Sequence, residues 1–210
     1  MQPEFPGDCT IAQALPMFYE QYGLSADGGA SEPTVKIIIY KKFCFYLPNI
    51  AARKKAVLKH DIHHIVTGYK SDFKGESEIA AWEVSTGCTH YWVGWALDLS
   101  GMALGVLYNL PGVFRAFVRG RRTKNLYHDT IPDQAALNMT VNELREKLGL
   151  DTEEGKRATI KEILSFIGWN ICGGIYTLLS AIFLPPIIIY SIVVAAKKRT
   201  GKGKGLQSVS

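Results

Sequence analysis

The chain has 210 residues, of which 47% are apolar and 20% charged, and its net charge is +5. This length suffices for one domain with a real core plus an appendage, and the apolar content is high for a soluble protein. The N-terminal sequence lacks the basic start and apolar run of a secretory signal. The four cysteines form no CxxC pair, which excludes a zinc ribbon and favours a reducing compartment over a disulfide framework.

Two short segments concentrate the positive charge. Residues 115–124 and residues 197–204 each carry five cations and no acid, so the rest of the chain has a net charge of −5. Basic clusters of this kind favour anionic membrane surfaces or polyanions. A role with lipid headgroups is the interpretation we prefer for Arg119, Arg121 and Arg122, because no aromatic interleaving accompanies them that would indicate nucleic-acid binding.

The N-terminal third predicts one helix and a small β element. Residues 8–22 read as a short helix that Pro16 interrupts, and residues 23–34 have the composition of a loop. The stretch 35–48 is rich in β-branched and aromatic residues, which predicts one or two strands with a turn at Tyr40–Lys42. A buried helix remains an alternative for an apolar run this short.

Two consecutive helices follow. The first is predicted over residues 50–67, with Asn49 as its N-cap and Gly68 as its C-terminal stop. The second begins near Glu76. Ile79, Ala80 and Trp82 would pack it against the first helix and fold Glu76 back towards that helix.

The sequence of the central segment does not decide whether it lies in the protein core or in a membrane. Residues 90–114 contain one acid, Asp98, and no lysine or arginine, so they could form a core helix, an interfacial helix or a weak membrane span. Thr140 with Glu143 forms a capping box that predicts a short helix ending at Gly149. Asp151 with Glu154 repeats that signature and predicts the start of the last helix.

The last helix predicts contact with a membrane. Residues 163–196 hold 34 positions without a charge, whereas about 20 residues cross a bilayer. The Pro185-Pro186 pair interrupts the helical hydrogen bonds. A kinked span, a re-entrant hairpin and a helix lying partly in the interface are all compatible with this pattern. The basic residues after it favour a cytoplasmic tail.

Residues 60–76, HDIHHIVTGYKSDFKGE, carry the chemistry that the sequence suggests. His60 and His64 are four residues apart, so on a helix they share a face and can hold one metal ion. Asp61 lies beside the first histidine, and Glu76 follows eleven intervening residues after the second. Imidazole nitrogens with carboxylate oxygens suit zinc, and manganese or iron nearly as well.

This segment resembles the signature of the coenzyme Q biosynthesis protein 4 family, which reads His-Asp-x-x-His, eleven residues, then Glu. His60, Asp61, His64 and Glu76 fill its four positions at the same spacing. The segment FRAFVRGRRTKNLY and the later VNELREKLGL also resemble that family, and the resemblance covers roughly residues 35–150.

The resemblance implies a mostly helical, membrane-associated protein that binds zinc or another divalent ion through these four residues. It also implies action on prenylated benzoate rings, with removal of the ring carboxylate and hydroxylation at that carbon. The expected partners are a prenylated quinone precursor, anionic membrane lipids and other quinone-biosynthesis proteins. A homodimer is left open, and no nucleic-acid partner is expected.

Decarboxylation would need an acid to protonate the ring carbon as carbon dioxide leaves, and His63 or Tyr69 is a candidate for that role. His63 departs from the family's pattern, which has an aromatic residue there, and the C-terminal apolar segment exceeds what the family usually carries. A set of four protein ligands is typical of structural zinc, which is the main argument against a catalytic metal.

The sequence therefore predicts a mainly α protein with a short β element near the N-terminus and a C-terminal apolar membrane helix or hairpin. The expected organisation is an N-terminal helix and loop (1–34), a metal-binding helical domain (35–155), and a membrane anchor with a basic tail (156–210). We expect it at the cytoplasmic face of a bacterial inner membrane or an equivalent membrane. Three functions remain: a metal-dependent carboxy-lyase, a prenyl-lipid scaffold with a structural metal, and, less favoured, a hydrolase like the HExxH metalloproteases.

Overall fold

The protein is mainly α, with one two-stranded sheet near the N-terminus, in a computed structural model that describes residues 5–40, 43–151 and 157–205. The helices and strands, in chain order, are α1 (Ile11–Gln21), β1 (Thr34–Tyr40), β2 (Phe43–Pro48), α2 (Ala51–Thr67), α3 (Phe73–Thr86), α4 (Trp92–Gly120), α5 (Asp133–Asn138), α6 (Val141–Leu148), α7 (Ile160–Ser180) and α8 (Leu184–Gly205). Two short 3₁₀ helices lie at Leu126–His128 and Ala181–Phe183.

The β element is confirmed as an antiparallel hairpin. β1 pairs with β2 in a register that sets Thr34 opposite Pro48 and Lys36 opposite Tyr46. The predicted turn at Tyr40–Lys42 lies partly outside the described residues, because Lys41 and Lys42 are not among them.

The helix ends are set by local sequence, in part differently from the prediction. Gly68 ends α2 in the left-handed conformation (φ 76°), as its lack of a Cβ permits. Asn49 does not cap α2. Its side-chain amide instead donates to the carbonyls of Gly29 and Glu32, so it fastens the loop before the hairpin to the start of α2.

The predicted start of α6 is confirmed, and the predicted start of the last helix is wrong. Thr140 and Glu143 form the predicted capping box of α6, and Gly149 ends that helix. The last helix does not start at Asp151. Its capping box is formed by Thr159 and Glu162, and α7 begins at Ile160. Glu154 lies outside the described residues.

α4 is not one straight rod, because Asn109 has non-helical backbone angles (φ −142°, ψ 40°) just before Pro111. Before this break, Gly105 lies against Ser77 and Gly101 against Ala80, so the chain runs antiparallel to α3. After it, Gly112 lies against Glu78 and Gly120 against Trp82 and Ser85, so the chain runs parallel to α3. The two halves of α4 therefore fold back on each other at Asn109.

The core lies between α1, α2, α3, both halves of α4 and α6. Its largest fully buried side chains are Trp82, Tyr127, Phe18, Phe117, Ile11, Ile62, Ile65, Ile79, Met102, Leu126, Leu144 and Leu148. Ile79, Ala80 and Trp82 are buried in the core. Trp82 packs against His63 of α2, as predicted, whereas Ala80 lies against Gly101 of α4. This core holds α2 and α3 in fixed positions, and both helices contribute to the candidate site.

The C-terminal segment continues in one direction from α7 through the 3₁₀ helix into α8. Ser180, Ala181 and Leu184 all keep right-handed helical backbone angles, so the described chain makes no re-entrant turn there. Pro185 and Pro186 fall in the first turn of α8, where missing amide donors do little harm. Among the described residues, two helical segments are long and apolar enough to cross a membrane, Trp92–Gly120 and Ile160–Lys197. The break at Asn109 argues against a crossing by the first.

α7 and α8 are each fastened to the rest of the protein. The Trp95 and Trp169 rings stack at 5.3 Å, and Gly173 lies against the backbone carbonyl of Leu99. Further along, the Ser191 hydroxyl accepts from the amide of Tyr46 (2.9 Å) and contacts its carbonyl oxygen (3.1 Å), which joins α8 to β2.

The contact at Gly173 can be tested with its neighbour. A Cβ at Gly173 would lie 2.8 Å from the Leu99 carbonyl oxygen, whereas a Cβ at Gly174 would meet nothing within 4 Å. We expect Gly174→Ala to raise the free energy of unfolding by about 0.5–1 kcal/mol, because alanine is the better helix former. We expect the free energy of unfolding of Gly173→Ala to be about 1–3 kcal/mol lower than that of Gly174→Ala, because the added atom overpacks the α4–α7 contact. Unfolding in detergent micelles would measure both; equal stability of the two variants would contradict this packing.

Candidate metal centre

His60 and His64 lie on one face of α2, as their spacing predicts. Their rings meet edge to face, with centroids 4.7 Å apart. Their Nε2 atoms are 3.2 Å apart. The side chain of His60 is one quarter exposed, whereas that of His64 is buried.

Glu76 reaches the same point from the first turn of α3. Its Oε1 lies 3.4 Å from His64 Nε2, and its Oε2 lies 3.6 Å from His60 Nε2. Asp72 begins this helix by accepting from the amides of Lys74 and Gly75, which fixes where the first turn starts. The three side chains offer ligand atoms that all lie within 4.8 Å of one another, so they could hold one ion.

The other ring nitrogen of each histidine has a fixed partner. His64 Nδ1 lies 2.8 Å from the carbonyl oxygen of Tyr69, which can only accept, so this Nδ1 carries the proton. His60 Nδ1 lies 3.1 Å from both carboxylate oxygens of Glu83, which accept in the same way. If both rings are neutral, two Nε2 lone pairs therefore face each other beside the Glu76 carboxylate. A positive charge between them, a proton or a metal ion, relieves this repulsion.

The pKa shifts of His60 and Glu76 also favour a positive charge between these groups. Burial alone would lower the pKa of His60, but the charges of Glu83 and Glu76 raise it well above its ordinary value. Burial alone would raise the pKa of Glu76, but His64 and His60 hold it well below its usual range. These shifts favour a positive charge between the rings and the carboxylate, and two imidazoles with a carboxylate are donors that suit a divalent ion.

Glu83 was not predicted, although the sequence contained a signal for it. It follows Glu76 by seven residues, which is two helical turns, so the two acids lie on the same face of α3. Its side chain is fully buried. Burial would raise the pKa of Glu83, but His60 and His63 hold it well below its usual value. A buried carboxylate behind a ligand histidine is the arrangement that orients imidazole ligands in many metal sites.

A second buried acid lies behind Glu83. His60, Glu83 and Asp98 offer ligand atoms within 4.8 Å of one another, and Asp98 comes from the first half of α4. The Cys88 thiol donates to Asp98 Oδ2 at 3.5 Å. Asp98 was noted in the sequence as the single acid of an apolar segment. Burial and the charge of Glu83 raise the pKa of Asp98 well above its usual value, so it is accommodated there as a neutral acid.

Asp61 is not brought to the same point by its described contacts. Its Oδ2 accepts from the Tyr19 hydroxyl at 3.1 Å, and it is absent from both groups of converging ligand atoms. Burial raises the pKa of Asp61 to about 6, against the opposing charges of His60 and His64. Its role as a fourth ligand stays a prediction, and the structure brings together the other three predicted ligands.

His63 lies in the core, on the other side of Glu83. Its Nδ1 is 2.5 Å from Glu83 Oε1, and its Nε2 accepts from the amide of Leu126 at 2.9 Å. A nitrogen that accepts from an amide carries no proton, so His63 is neutral and both ring nitrogens are engaged. Burial lowers the pKa of His63, in agreement with that state. The contacts give His63 a part in holding Glu83 and leave no ring nitrogen to face a ligand.

Tyr69 is buried directly after α2, where its carbonyl orients His64. Its ring lies under the guanidinium of Arg119, whose Cζ is 5.5 Å from the ring centroid. Burial raises the pKa of Tyr69, so its hydroxyl keeps its proton. Tyr69 therefore keeps the chemistry of a proton donor, and its role as one stays a prediction.

The basic segment after Asn109 is partly used inside the protein. Arg119 donates to the Thr67 carbonyl at 2.8 Å. Arg122 pairs with Glu162, with Nε 2.6 Å from Oε1, which fastens the end of α4 to the start of α7. Arg115 and Arg121 are exposed. These contacts give two of the arginines structural roles, and lipid binding by the segment stays a prediction.

Comparison with known protein families, with curated proteins and with solved structures finds no match to this chain. The case for a function therefore depends on the geometry described above and on the motif.

Metal content can test the ligand set. We expect His60→Ala and His64→Ala each to lose at least about tenfold in affinity for a divalent ion, because each removes one of three converging donors. His90→Ala is the control, since His90 is exposed, lies 3.5 Å from Asp129 through its Nε2, and is in neither group of converging ligand atoms. Metal analysis after dialysis against competing chelator would measure the loss. Retention of metal by both variants would contradict the assignment.

Glu83→Gln tests the support behind His60. Glutamine keeps the size of the side chain but removes the charge that fixes the His60 proton on Nδ1. We expect metal affinity to fall about 10–100-fold. Glu146→Gln, on the exposed face of α6, is the matched control. Circular dichroism would verify that both variants are folded, and unchanged affinity in folded Glu83→Gln would disprove the supporting role.

Proposed function

We propose that this is a membrane-associated, metal-dependent protein of ubiquinone biosynthesis that removes the carboxylate from a polyprenylated hydroxybenzoate ring, with hydroxylation at the same carbon. The observation that carries the proposal is the convergence of His60, His64 and Glu76 on one point, at the spacing that resembles the coenzyme Q biosynthesis protein 4 signature.

The geometry supports a catalytic rather than a structural ion. Four protein ligands would close a tetrahedral site, whereas three leave positions for water or a substrate oxygen. The described contacts of Asp61 lead to Tyr19 and not to the other three residues, so the set that converges is two histidines and one carboxylate. Glu76, the most exposed of the three at 46%, marks the side from which a ligand could approach.

A bound divalent ion would hold the substrate's carboxylate or phenolate oxygen and stabilise negative charge that develops during the reaction. The residues of this chain would then supply position and protons. His60 and His64 are held by Glu83 and the Tyr69 carbonyl. In the version without hydroxylation, the protonated hydroxyl of Tyr69 is the proposed source of the proton that replaces carbon dioxide on the ring.

The identity of the metal separates two versions of this chemistry. Zinc, the ion we expect from the motif, has no redox chemistry and suits decarboxylation with protonation. Two histidines and one carboxylate with open positions are also the ligand set of non-haem iron oxygenases. Replacement of the carboxylate by a hydroxyl group would need molecular oxygen as the oxidant, with a two-electron reductant to take the second oxygen atom to water, and would favour iron.

A second candidate is a prenyl-lipid scaffold with a structural metal. It is favoured by the large exposed apolar surface of α7 and α8, which would suit a lipid-presenting protein as well as an enzyme. The expected partners are the same in both cases: a prenylated quinone precursor, anionic lipids and other quinone-biosynthesis proteins.

One assay distinguishes these candidates. Purified protein in lipid nanodiscs would receive a prenylated 4-hydroxybenzoate labelled with carbon-13 in the carboxyl group, with zinc or with iron, oxygen and a reductant. We expect labelled carbon dioxide from the wild type and a loss of at least about 100-fold in Glu76→Ala, because the carboxylate ligand is gone. Glu146→Ala, on the exposed face of α6, should match the wild type. Binding of the lipid without turnover under every metal condition would favour the scaffold and contradict the enzyme.

A further inference from the structure

The fold-back of α4 at Asn109 creates an apolar prominence. Phe73, Leu104, Leu107 and Leu110 surround the break and are between 46% and 80% exposed, with Leu107 the most exposed. We call these four residues the elbow surface. The Phe73 ring stacks on Tyr108 at 4.2 Å, and the Tyr108 hydroxyl donates to the Phe73 carbonyl at 2.9 Å. The start of α3 and the tip of α4 therefore form one firm unit.

The elbow surface lies beside the apolar C-terminal helix. The first half of α4 runs parallel to α7, because Trp95 stacks on Trp169 and, further along both helices, Ser100 meets Thr177. Both helices advance by about 1.5 Å per residue. The pairing of Trp95 with Trp169 and of Ser100 with Thr177, continued along the two helices, therefore places Leu107 level with the residues near Ile182. Ile182 and Phe183 are themselves exposed. The two segments thus present apolar side chains at the same height.

The candidate metal centre lies next to this surface. Phe73 precedes Glu76 by three residues in the first turn of α3. Ser77, the next residue, packs against Gly105 just before the elbow. The exposed carboxylate of Glu76 is therefore within one helical turn of the elbow surface.

We propose that the elbow surface inserts into the headgroup–acyl boundary of a lipid bilayer, so that the Glu76 side of the metal centre opens at the membrane surface. A ligand with an apolar tail could then bring its polar end to the metal centre while the tail stays in lipid. This orientation rests on the membrane association in the proposed function and is independent of the reaction proposed there.

The charges around the elbow favour lipid over a second copy of the chain. Lys70, Lys74 and Arg115 are exposed around the apolar residues. Two exposed acids also lie there: Asp72 is engaged as the cap of α3, and Glu76 belongs to the candidate metal centre. A twofold-symmetric contact through the elbow surface would bring these basic side chains of one copy close to the same side chains of the other copy. Anionic headgroups would instead neutralise the cations, whose aliphatic stems can lie along the apolar surface.

Site-specific photocross-linking tests this orientation. The photoreactive residue p-benzoylphenylalanine would replace Leu107 in the full chain, reconstituted in vesicles of phosphatidylcholine and phosphatidylglycerol that carry an alkyne on the acyl chain. Ile182 is the positive control, because it lies in the apolar C-terminal segment. Met17 is the negative control, because it is exposed on α1, far along the chain from the elbow. Since Leu107 is 80% exposed, the substitution should not disturb folding, and metal content would verify this.

We expect ultraviolet irradiation to join lipid to positions 107 and 182 with similar yield, at least about fivefold above position 17. Lipid labelling at 182 with background labelling at 107 would overturn the proposed orientation and leave membrane association standing. Background labelling at both would overturn membrane association as well. A cross-linked protein dimer from position 107 would show that a second copy covers the elbow.

Discussion

The candidate site depends on two imidazole rings that are each held by an acceptor at Nδ1. The carbonyl of Tyr69 fixes the Nδ1 proton of His64, and the carboxylate of Glu83 fixes that of His60. The two Nε2 atoms therefore face each other, 3.2 Å apart. Glu76 adds a negative charge at the same point. Without a cation, this arrangement places electron pairs and a carboxylate together at a partly buried position, which is costly. The surrounding helices therefore place these groups so that binding of one positive charge is favourable.

Glu83 connects this site to the core. The same carboxylate contacts His60 on the ligand side and His63 on the buried side, so it fixes the rotation of α2 against α3. His63 in turn accepts from the Leu126 amide, and the Trp82 and Tyr127 rings pack edge to face against it. The candidate ligands are thus positioned by a fully buried polar group with satisfied contacts, which is a stiffer support than surface side chains would give.

The sequence was informative wherever one local rule decided the outcome. The histidine spacing on α2, the Gly68 stop, the capping box at Thr140 and the apolar C-terminal segment each depend on contacts within one helix, and the structure agrees with them. The fold-back at Asn109 could not be read from the pattern, because it depends on how both halves of α4 pack on α3.

The same reasoning explains what was missed at the site. Glu83 is two turns from Glu76, so its face was predictable, but its burial depends on side chains that α2 and α4 bring to it: His60, His63 and Asp98. Asn49 is a residue type that often caps helices, but its side-chain NH2 donates to three carbonyls in the preceding loop, and its Oδ1, the atom a cap would use, accepts from Arg53. Asp61 matches the motif position, while the hydroxyl that binds it comes from α1, forty-two residues earlier.

The two attachments of the C-terminal helix have a mechanical consequence. Gly173 against α4 and Ser191 against β2 are separated by eighteen residues, or about 27 Å of helix. A rod clamped at two well-separated points cannot tilt by itself. If the helix spans a bilayer, a change in bilayer thickness would change its tilt, and the body that carries His60 and His64 would rotate with it through the same angle.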